Sequence, residues 1–302
     1  MGEAAIGWLV LGVALHLANQ VLRGRGWCAL VRAADGGGCG PRRRDAIAAW
    51  VAGAGAGGLV SARGGDAVRV LLLRRRMPDA GCPMLAGTLV AEGAGECATG
   101  ALLLAVALVV GVGPQIGAST TTVVFVAAGL ILAAMLLTVA RRSARVRRIA
   151  AGVGKGCAPL RAPRAYARSV FPWQLGSRAC RLGALGCFLA AFGIPATPAA
   201  VLLVAFAQGG SRMVPFAPAS VGAGVALLAA SFGPVTGSAV SAERLAAFYV
   251  GTSTLLTVVG TALALAICLR DQTLANAGRS VVAAVAGAGR RVLARAATVP
   301  TP

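Results

Sequence analysis

Long apolar stretches alternate with short basic ones along this chain. Four apolar stretches have about the 20 residues that an α-helix needs to cross a bilayer: 4–22, 82–112, 121–140 and 245–268. A further span begins near Arg178 and Arg181 and ends near Ile194. Two other stretches, 199–210 and 211–232, are short for a span and are broken by glycine and proline. The pattern predicts an all-α polytopic integral membrane protein with about five to seven transmembrane helices and one or two re-entrant or broken segments.

The composition and the distribution of charge agree with this class. Hydrophobic residues make up 57% of the 302 and charged residues only 13%, whereas soluble domains carry roughly a quarter. The net charge is +20, and 27 of the 29 basic residues fall in four blocks: 23–45, 63–79, 141–181 and 269–302. Such blocks are typical of cytoplasmic loops. We therefore expect a cytoplasmic-membrane protein with its N-terminus outside and its C-terminus inside, whose arginines meet anionic lipids and not nucleic acid.

The stretch 46–62 is rich in glycine and has arginines on both sides. Because a crossing would leave the basic segment after it outside, we expect this stretch to enter the bilayer and return. The chain then forms one membrane domain with four parts: a first half (4–140), a basic cytoplasmic linker (141–181), a second half (182–268) and a basic tail (269–302). The halves fit an inverted repeat, and they also fit a shared bias toward glycine and alanine alone.

Two carboxylates interrupt a long apolar stretch. Glu92 and Glu96 are four residues apart and so share a helix face, and carboxylates at membrane depth usually have a partner. We expect Arg63 and Arg69 as partners and Arg212 as a third. The carboxylates could line a substrate or proton pathway, or Glu92 could only tether the cytoplasmic loop. Arg212 could bind a phosphate headgroup or extend to the membrane interface.

The cysteine and histidine residues do not form a pattern that is typical of a cofactor site. The eight cysteines form no CxxC pair, and His16 is the only histidine. We therefore expect neither a metal site nor a histidine-based catalytic triad.

Three motifs occur in the order seen in a known family. The first is VLRGRGWCALVRAA (21–34). The second is GGLVSARGGDAVRVLLLRRR (57–76) followed by LVAEGAGE (89–96), and the third is VPFAPASVGAG (214–224). Over residues 4–268 the chain resembles the transmembrane flippase-like region of lysylphosphatidylglycerol synthases and its stand-alone relatives.

The resemblance implies a set of substrate-binding positions. The matching residues are Arg63, Gly65, Asp66, Arg69, Glu92, Glu96, Pro215, Pro218, Gly222 and Gly224, and we add Arg212 to the expected site. The chain departs from the family at Gly57, Ser61 and Gly93, where the family has Asn, Pro and Arg. One extra residue also separates Arg25 from Trp27.

The resemblance further implies a flippase-like transporter of phospholipid or polyprenyl-phosphate substrates that works by alternating access. It implies no catalytic residues, since the aminoacyltransferase domain of the synthases would follow the membrane region and the chain ends at Pro302. The alternatives are an accessory subunit or enzyme of lipid-linked glycan and cell-envelope synthesis, and a structural membrane protein. Expected partners are the anionic lipid and the membrane, with a homo-oligomer or a cell-envelope biosynthesis protein as further candidates.

Overall fold

The computed structural model describes residues 3–36, 40–59, 62–77, 79–109, 144–211 and 217–270. In these ranges the chain is helical, with no strand. The helices are α1 (Glu3–Asp35), α2 (Arg43–Leu59), α3 (Ala62–Arg76), α4 (Cys82–Val109), α5 (Ala144–Gly156), a 3-10 helix (Ala158–Arg161), α6 (Pro163–Ser169), α7 (Phe171–Ala191), α8 (Pro198–Ser211), α9 (Ala217–Thr236) and α10 (Ala242–Arg270). The span predicted at 121–140 and most of the basic tail lie outside the described residues.

Within the described ranges, α1 and α10 are long and apolar enough to cross a membrane. Residues 198–208 of α8 and 224–236 of α9 are shorter apolar helical segments. The all-helical class predicted from the sequence is therefore present, while the number of crossings stays a prediction.

Helix α1 continues well beyond the apolar stretch 4–22. It runs into the first basic block and ends at Asp35, before Gly36, whose φ is +67°. Gly24 lies inside this extension, and a Cβ on it would stand 2.8 Å from the Ile47 Cα of α2. The glycine therefore permits the backbones of α1 and α2 to approach, and the helical extension carries basic residues into the packed interior.

Helices α2 and α3 form an antiparallel pair. The described part of the predicted re-entrant stretch 46–62 is almost entirely α2, a continuous helix, so the chain returns along α3 and not within that stretch. A Cβ on Gly65 of α3 would lie 2.9 Å from the Gly57 Cα, and one on Gly53 would lie 2.9 Å from the Arg69 Cβ. The order of these contacts shows that α3 returns along α2. The opposite side of α2 meets α10, where Gly55 lies against the backbone of Gly260.

The basic linker 141–181 is packed, over its described part, against the first half. A Cβ on Gly87 of α4 would stand 2.9 Å from the Gly156 Cα of α5. The last part of the block begins α7, which packs along α1. There a Cβ on Gly12 would stand 2.5 Å from the Phe188 ring.

The second half has an apolar core built from α7 to α10. Its largest fully buried side chains include Phe188, Phe232 and Phe248. A separate apolar cluster around Trp27, Trp50 and Leu73 fills the first half. The charged residues described next lie beside this second cluster.

Candidate functional site

Five helices, four from the first half and one that begins in the linker, bring polar and aromatic side chains together. The contributing residues are Arg23 and Trp27 from α1, Trp50 from α2, Asp66 and Arg69 from α3, Thr88, Glu92 and Glu96 from α4, and Gln174 and Arg178 from α7. We call Arg23, Asp66, Arg69, Glu92 and Glu96 the arginine–carboxylate network.

Ion pairs connect three helices through this network. Arg69 Nη1 lies 3.3 Å from Glu92 Oε2, and Arg69 Nη2 lies 2.9 Å from Asp66 Oδ1. On the other side of Glu92, Arg23 Nη2 lies 3.3 Å from Oε1 and also pairs with Glu96. Glu92 is therefore held between an arginine of α1 and one of α3.

The indole rings of Trp27 and Trp50 lie against the guanidinium groups of these arginines. Trp27 and Trp50 meet edge to face, with ring centroids 6.1 Å apart. The Arg69 guanidinium carbon stands 4.1 Å from the Trp50 centroid and 5.7 Å from that of Trp27, and Arg23 stands 4.9 Å from Trp50. Cation–π attraction of this kind contributes about 0.5–2 kcal/mol, more where water is excluded.

Hydrogen bonds fix both indoles in place. Trp27 Nε1 donates to Thr88 Oγ1 at 3.0 Å, and the Thr88 hydroxyl donates to the Leu85 carbonyl at 2.6 Å. Trp50 Nε1 donates to Gln20 Oε1 at 3.0 Å. The rings therefore cannot turn away from the arginines without losing a buried hydrogen bond.

Burial makes the charge balance of the site important. Glu92 is 6% exposed and Arg69 is 9% exposed. Removing one partner from a buried ion pair costs about 3–5 kcal/mol, because a charge is left uncompensated. Arg178 lies beside the network and donates Nη2 to the Glu96 carbonyl at 3.2 Å. Three cationic side chains thus stand against the three carboxylates of the network.

A small cavity borders the network between α1, α4 and α7. Its lining includes Arg23, Trp27, Glu92, Glu96, Gln174 and Arg178. Its volume is about 10 Å³, which is about what one water molecule needs. The described helices therefore leave room for about one water molecule between Arg23, Glu92 and Gln174.

The structure brings four predicted site residues together: Asp66, Arg69, Glu92 and Glu96. It gives Gly65 a packing position between α2 and α3. Gly222 is exposed on α9, with no atom within 4 Å of an added Cβ. The side chains of Arg63, Arg212, Pro215 and Pro218 lie outside the described residues, so the predicted pairing of Arg63 and Arg212 stays a prediction.

Arg23 was assigned from the sequence to a lipid-facing basic block, whereas the structure places it on the carboxylates. The signal that could have found it is its spacing of four residues from Trp27, which puts both on one helix face. Arg25, the arginine of the matched motif, lies instead over Trp173, with its guanidinium carbon 5.3 Å from the ring centroid. Gln174 and Arg178 have the same four-residue spacing and were also missed.

A comparison with family models decides the relationship of this chain to known proteins. The model described as the lysylphosphatidylglycerol synthase TM region matches residues 2–264. The chain belongs to this family. The match spans α1 to most of α10, and with them every described residue of the network. No match was found among curated proteins or among solved structures.

Membership in the lysylphosphatidylglycerol synthase TM-region family makes this chain a helical membrane protein. The network is then a group of ionisable side chains within a membrane domain. Burial of such residues in a membrane costs free energy, and they usually mark a substrate or ion pathway.

Proposed function

We propose that the protein is a flippase-like transporter that moves an anionic phospholipid or a polyprenyl-phosphate substrate across the cytoplasmic membrane, without catalysing a chemical reaction. The observation that carries the proposal is a pair of arginines, the partly buried Arg23 and the buried Arg69, held inside a membrane domain by carboxylates. The family supports a membrane protein of lipid-related function.

Guanidinium groups suit the recognition of a phosphate headgroup. Their planar array of N–H donors can bind two oxygens of one anion. In the closed structure Glu92 occupies this position, with one oxygen toward each arginine. The carboxylate therefore acts as an internal counter-ion that a lipid phosphate would replace.

Opening of the cavity between α1, α4 and α7 would begin at Glu96. Its side chain is 32% exposed, whereas that of Glu92 is 8% exposed. The Glu96 carboxylate can be hydrated when it separates from Arg23, so its release costs less than that of Glu92. Because the cavity has room for about one water, a headgroup enters only when α1, α4 and α7 move apart.

Transport can be measured in vesicles with a fluorescent phosphatidylglycerol, using an impermeant quencher to follow its appearance in the outer leaflet. We expect the wild-type protein to accelerate exchange over empty vesicles. The double variant Arg69→Gln with Glu92→Gln removes one pair without changing the net charge and should slow exchange roughly tenfold or more. Arg25→Gln, outside the network, is the matched control. Wild-type exchange no faster than in empty vesicles would refute transport of phosphatidylglycerol, and an unaffected double variant would refute the site.

A further inference from the structure

The only histidine of the chain, His16, lies on the apolar part of α1 and is connected to the arginine–carboxylate network by hydrogen bonds. Its Nε2 atom lies 3.2 Å from Gln20 Nε2, one helical turn further along α1. Gln20 Oε1 accepts from Trp50 Nε1 at 3.0 Å, and the Trp50 ring lies against Arg23 and Arg69. We call His16, Gln20 and Trp50 the histidine relay. An ionisable side chain at this depth in a membrane helix usually has a function.

The donors and acceptors of the histidine relay fix the protonation state of His16 in the structure. An indole Nε1 can only donate, so the end of the Gln20 amide that faces Trp50 is Oε1. The other end, Nε2, can only donate, so His16 Nε2 accepts from it. An imidazole that accepts at Nε2 is neutral and carries its proton on Nδ1. The observed arrangement therefore requires an uncharged His16.

Protonation of His16 is incompatible with both hydrogen bonds of the relay at once. In the imidazolium form Nε2 is a donor, and it then faces the Nε2 donor of Gln20. Turning the Gln20 amide over brings Oε1 to His16, but it places the amide nitrogen against the indole N–H of Trp50. Hydrogen bonds to charged groups are stronger than neutral ones. The Gln20 carbonyl therefore turns to the protonated His16, and Trp50 loses its acceptor.

The hydrogen bond that is lost joins α1 to α2. Trp50 is 4% exposed, so its ring stays packed and keeps its contact with Arg69. What changes is the attachment of α1, the helix whose Arg23 pairs with Glu92 and Glu96. Because a headgroup enters the cavity only when α1, α4 and α7 move apart, a less firmly attached α1 favours opening.

We propose that His16 is a proton-binding site that controls opening of the cavity between α1, α4 and α7, so that lipid exchange is faster at acidic pH. This inference rests on the proposed transport function. Imidazole is the side chain whose charge normally changes between about pH 5 and 8. A neutral His16 holds α1 against α2, and a protonated His16 releases it.

The helices that pack around α1 carry other charged and titratable groups. In the described structure α2 has none between 46 and 59, and α10, which packs on α2, has none between 250 and 267. On α7, a Cβ on Gly183 would stand 3.3 Å from Leu15 Cδ1, which places the arginines of α7 along α1. The groups are Arg23 on α1, Asp66 and Arg69 on α3, Glu92 and Glu96 on α4, and Arg178, Cys180 and Arg181 on α7. Since the carboxylates also take up protons in acid, the effect of His16 is measured against a variant that lacks only the histidine.

The histidine relay can be tested without transport, because the chain has a single histidine. Protein with 15N-labelled histidine in lipid nanodiscs contains one labelled imidazole, whose nitrogen shifts identify its tautomer by NMR. We expect the Nδ1–H form at about pH 8 and the imidazolium at about pH 5. The indole N–H signal of Trp50, identified by its absence in Trp50→Phe, should shift over the same pH range. An Nε2–H tautomer at about pH 8, a histidine that does not titrate, or an indole signal that is independent of the titration would overturn the proposal.

The vesicle assay tests the effect on transport at about pH 5 and about pH 8, where the phosphate of phosphatidylglycerol is ionised throughout. We expect wild-type exchange to be about three- to tenfold faster at the acidic pH, since one hydrogen bond separates the two states. His16→Gln keeps an acceptor for Gln20 and stays neutral, so it should exchange at the slow wild-type rate at both pH values. Gln20→Met removes the hydrogen bond between α1 and α2 and should exchange at the fast rate at both.

The outcomes separate this proposal from the transport function. Wild-type exchange that is equal at the two pH values, or slower in acid, would overturn the control by His16 while transport itself stands. A pH dependence that persists unchanged in His16→Gln would belong to the carboxylates and would also overturn it. Failure of the wild-type protein to move lipid at either pH would remove the transport function and the control of opening together. The tautomer and the pH dependence of the wild-type protein need no variant, so the proposal stays testable if a variant does not fold.

Discussion

The guanidinium carbon of Arg69 lies 4.1 Å from the centre of the Trp50 ring, while its Nη1 lies 3.3 Å from Glu92. The arginine is thus fixed from two directions, by an aromatic face of α2 and a carboxylate of α4. A planar cation held in this way keeps its edge available for an anion. The indole is therefore part of what orients the proposed phosphate-binding group.

The variant Trp50→Leu tests whether the indole ring holds Arg69 in place. The change removes the cation–π contact and the hydrogen bond to Gln20 and leaves space at a position only 4% exposed. We expect a loss of about 2–4 kcal/mol in the free energy of unfolding, measured by denaturant titration in detergent. Trp8→Leu is the control, since Trp8 is 45% exposed and should cost less than about 0.5 kcal/mol. Equal losses of unfolding free energy in the two variants would show that the contacts of Trp50 do not stabilise the fold.

Arg23 and Arg25 form a natural matched pair for a second test. Arg23→Gln leaves the buried Glu92 with Arg69 as its remaining ion-pair partner in the described structure and takes the cation from Glu96. We expect a loss of about 2–3 kcal/mol in unfolding free energy, below the full cost of an unpaired buried charge because Arg69 remains. Arg25→Gln, which only loses its contact with Trp173, should cost less than about 1 kcal/mol.

A double variant checks that the loss has an electrostatic origin. Adding Glu96→Gln to Arg23→Gln removes the carboxylate that lost its partner, so part of the stability should return. If the double variant is as unstable as the sum of the two single variants, the contact between Arg23 and Glu96 does not stabilise the fold.

The sequence predicted four of the five residues of the network and missed the fifth, Arg23, for a physical reason. Arg69 and Glu92 could be paired because a carboxylate in an apolar stretch needs a partner and because Arg69 belongs to the matched family motif. Arg23 stands in a block of six arginines, where the positive-inside pattern explains every member equally well. Only the continuation of α1 to Asp35 shows that one face of this block turns inward.

The contribution of α7 to the candidate site could not be predicted from the sequence either. Gln174 lies in a segment rich in arginine, proline and glycine that predicts a linker. Its position follows from the packing of α7 along α1 and from Gly95 on α4, two contacts between residues distant in sequence. The glycine-rich stretch 46–62 does pack closely, with Gly53 against α3 and Gly55 against α10, because glycines allow helix backbones to meet.

Gly65→Ala tests the contact between α2 and α3. An added Cβ would overlap the backbone of Gly53 and stand 2.9 Å from the Gly57 Cα. Since backbone atoms cannot move aside as a side chain can, we expect a loss of about 1–3 kcal/mol in unfolding free energy and slower lipid exchange, because α3 carries Arg69. Gly93→Ala has no atom within 4 Å of the new methyl group and should be neutral or slightly stabilising, through helix propensity. A harmless Gly65→Ala would contradict the observed packing.

The membrane orientation can be tested by cysteine labelling of the full chain in intact cells. In a background with the eight native cysteines replaced by serine, single cysteines are introduced as Asp79→Cys and Gln115→Cys, and an impermeant maleimide is added outside. If α2 and α3 enter from the cytoplasm and return, the basic flank after α3 stays inside, so Asp79→Cys should react only after the cells are opened. Gln115→Cys, in the uncharged loop after the apolar stretch 82–112, should react in intact cells. Labelling of Asp79→Cys from outside would mean that 46–62 crosses the membrane and that the predicted re-entrant segment is wrong.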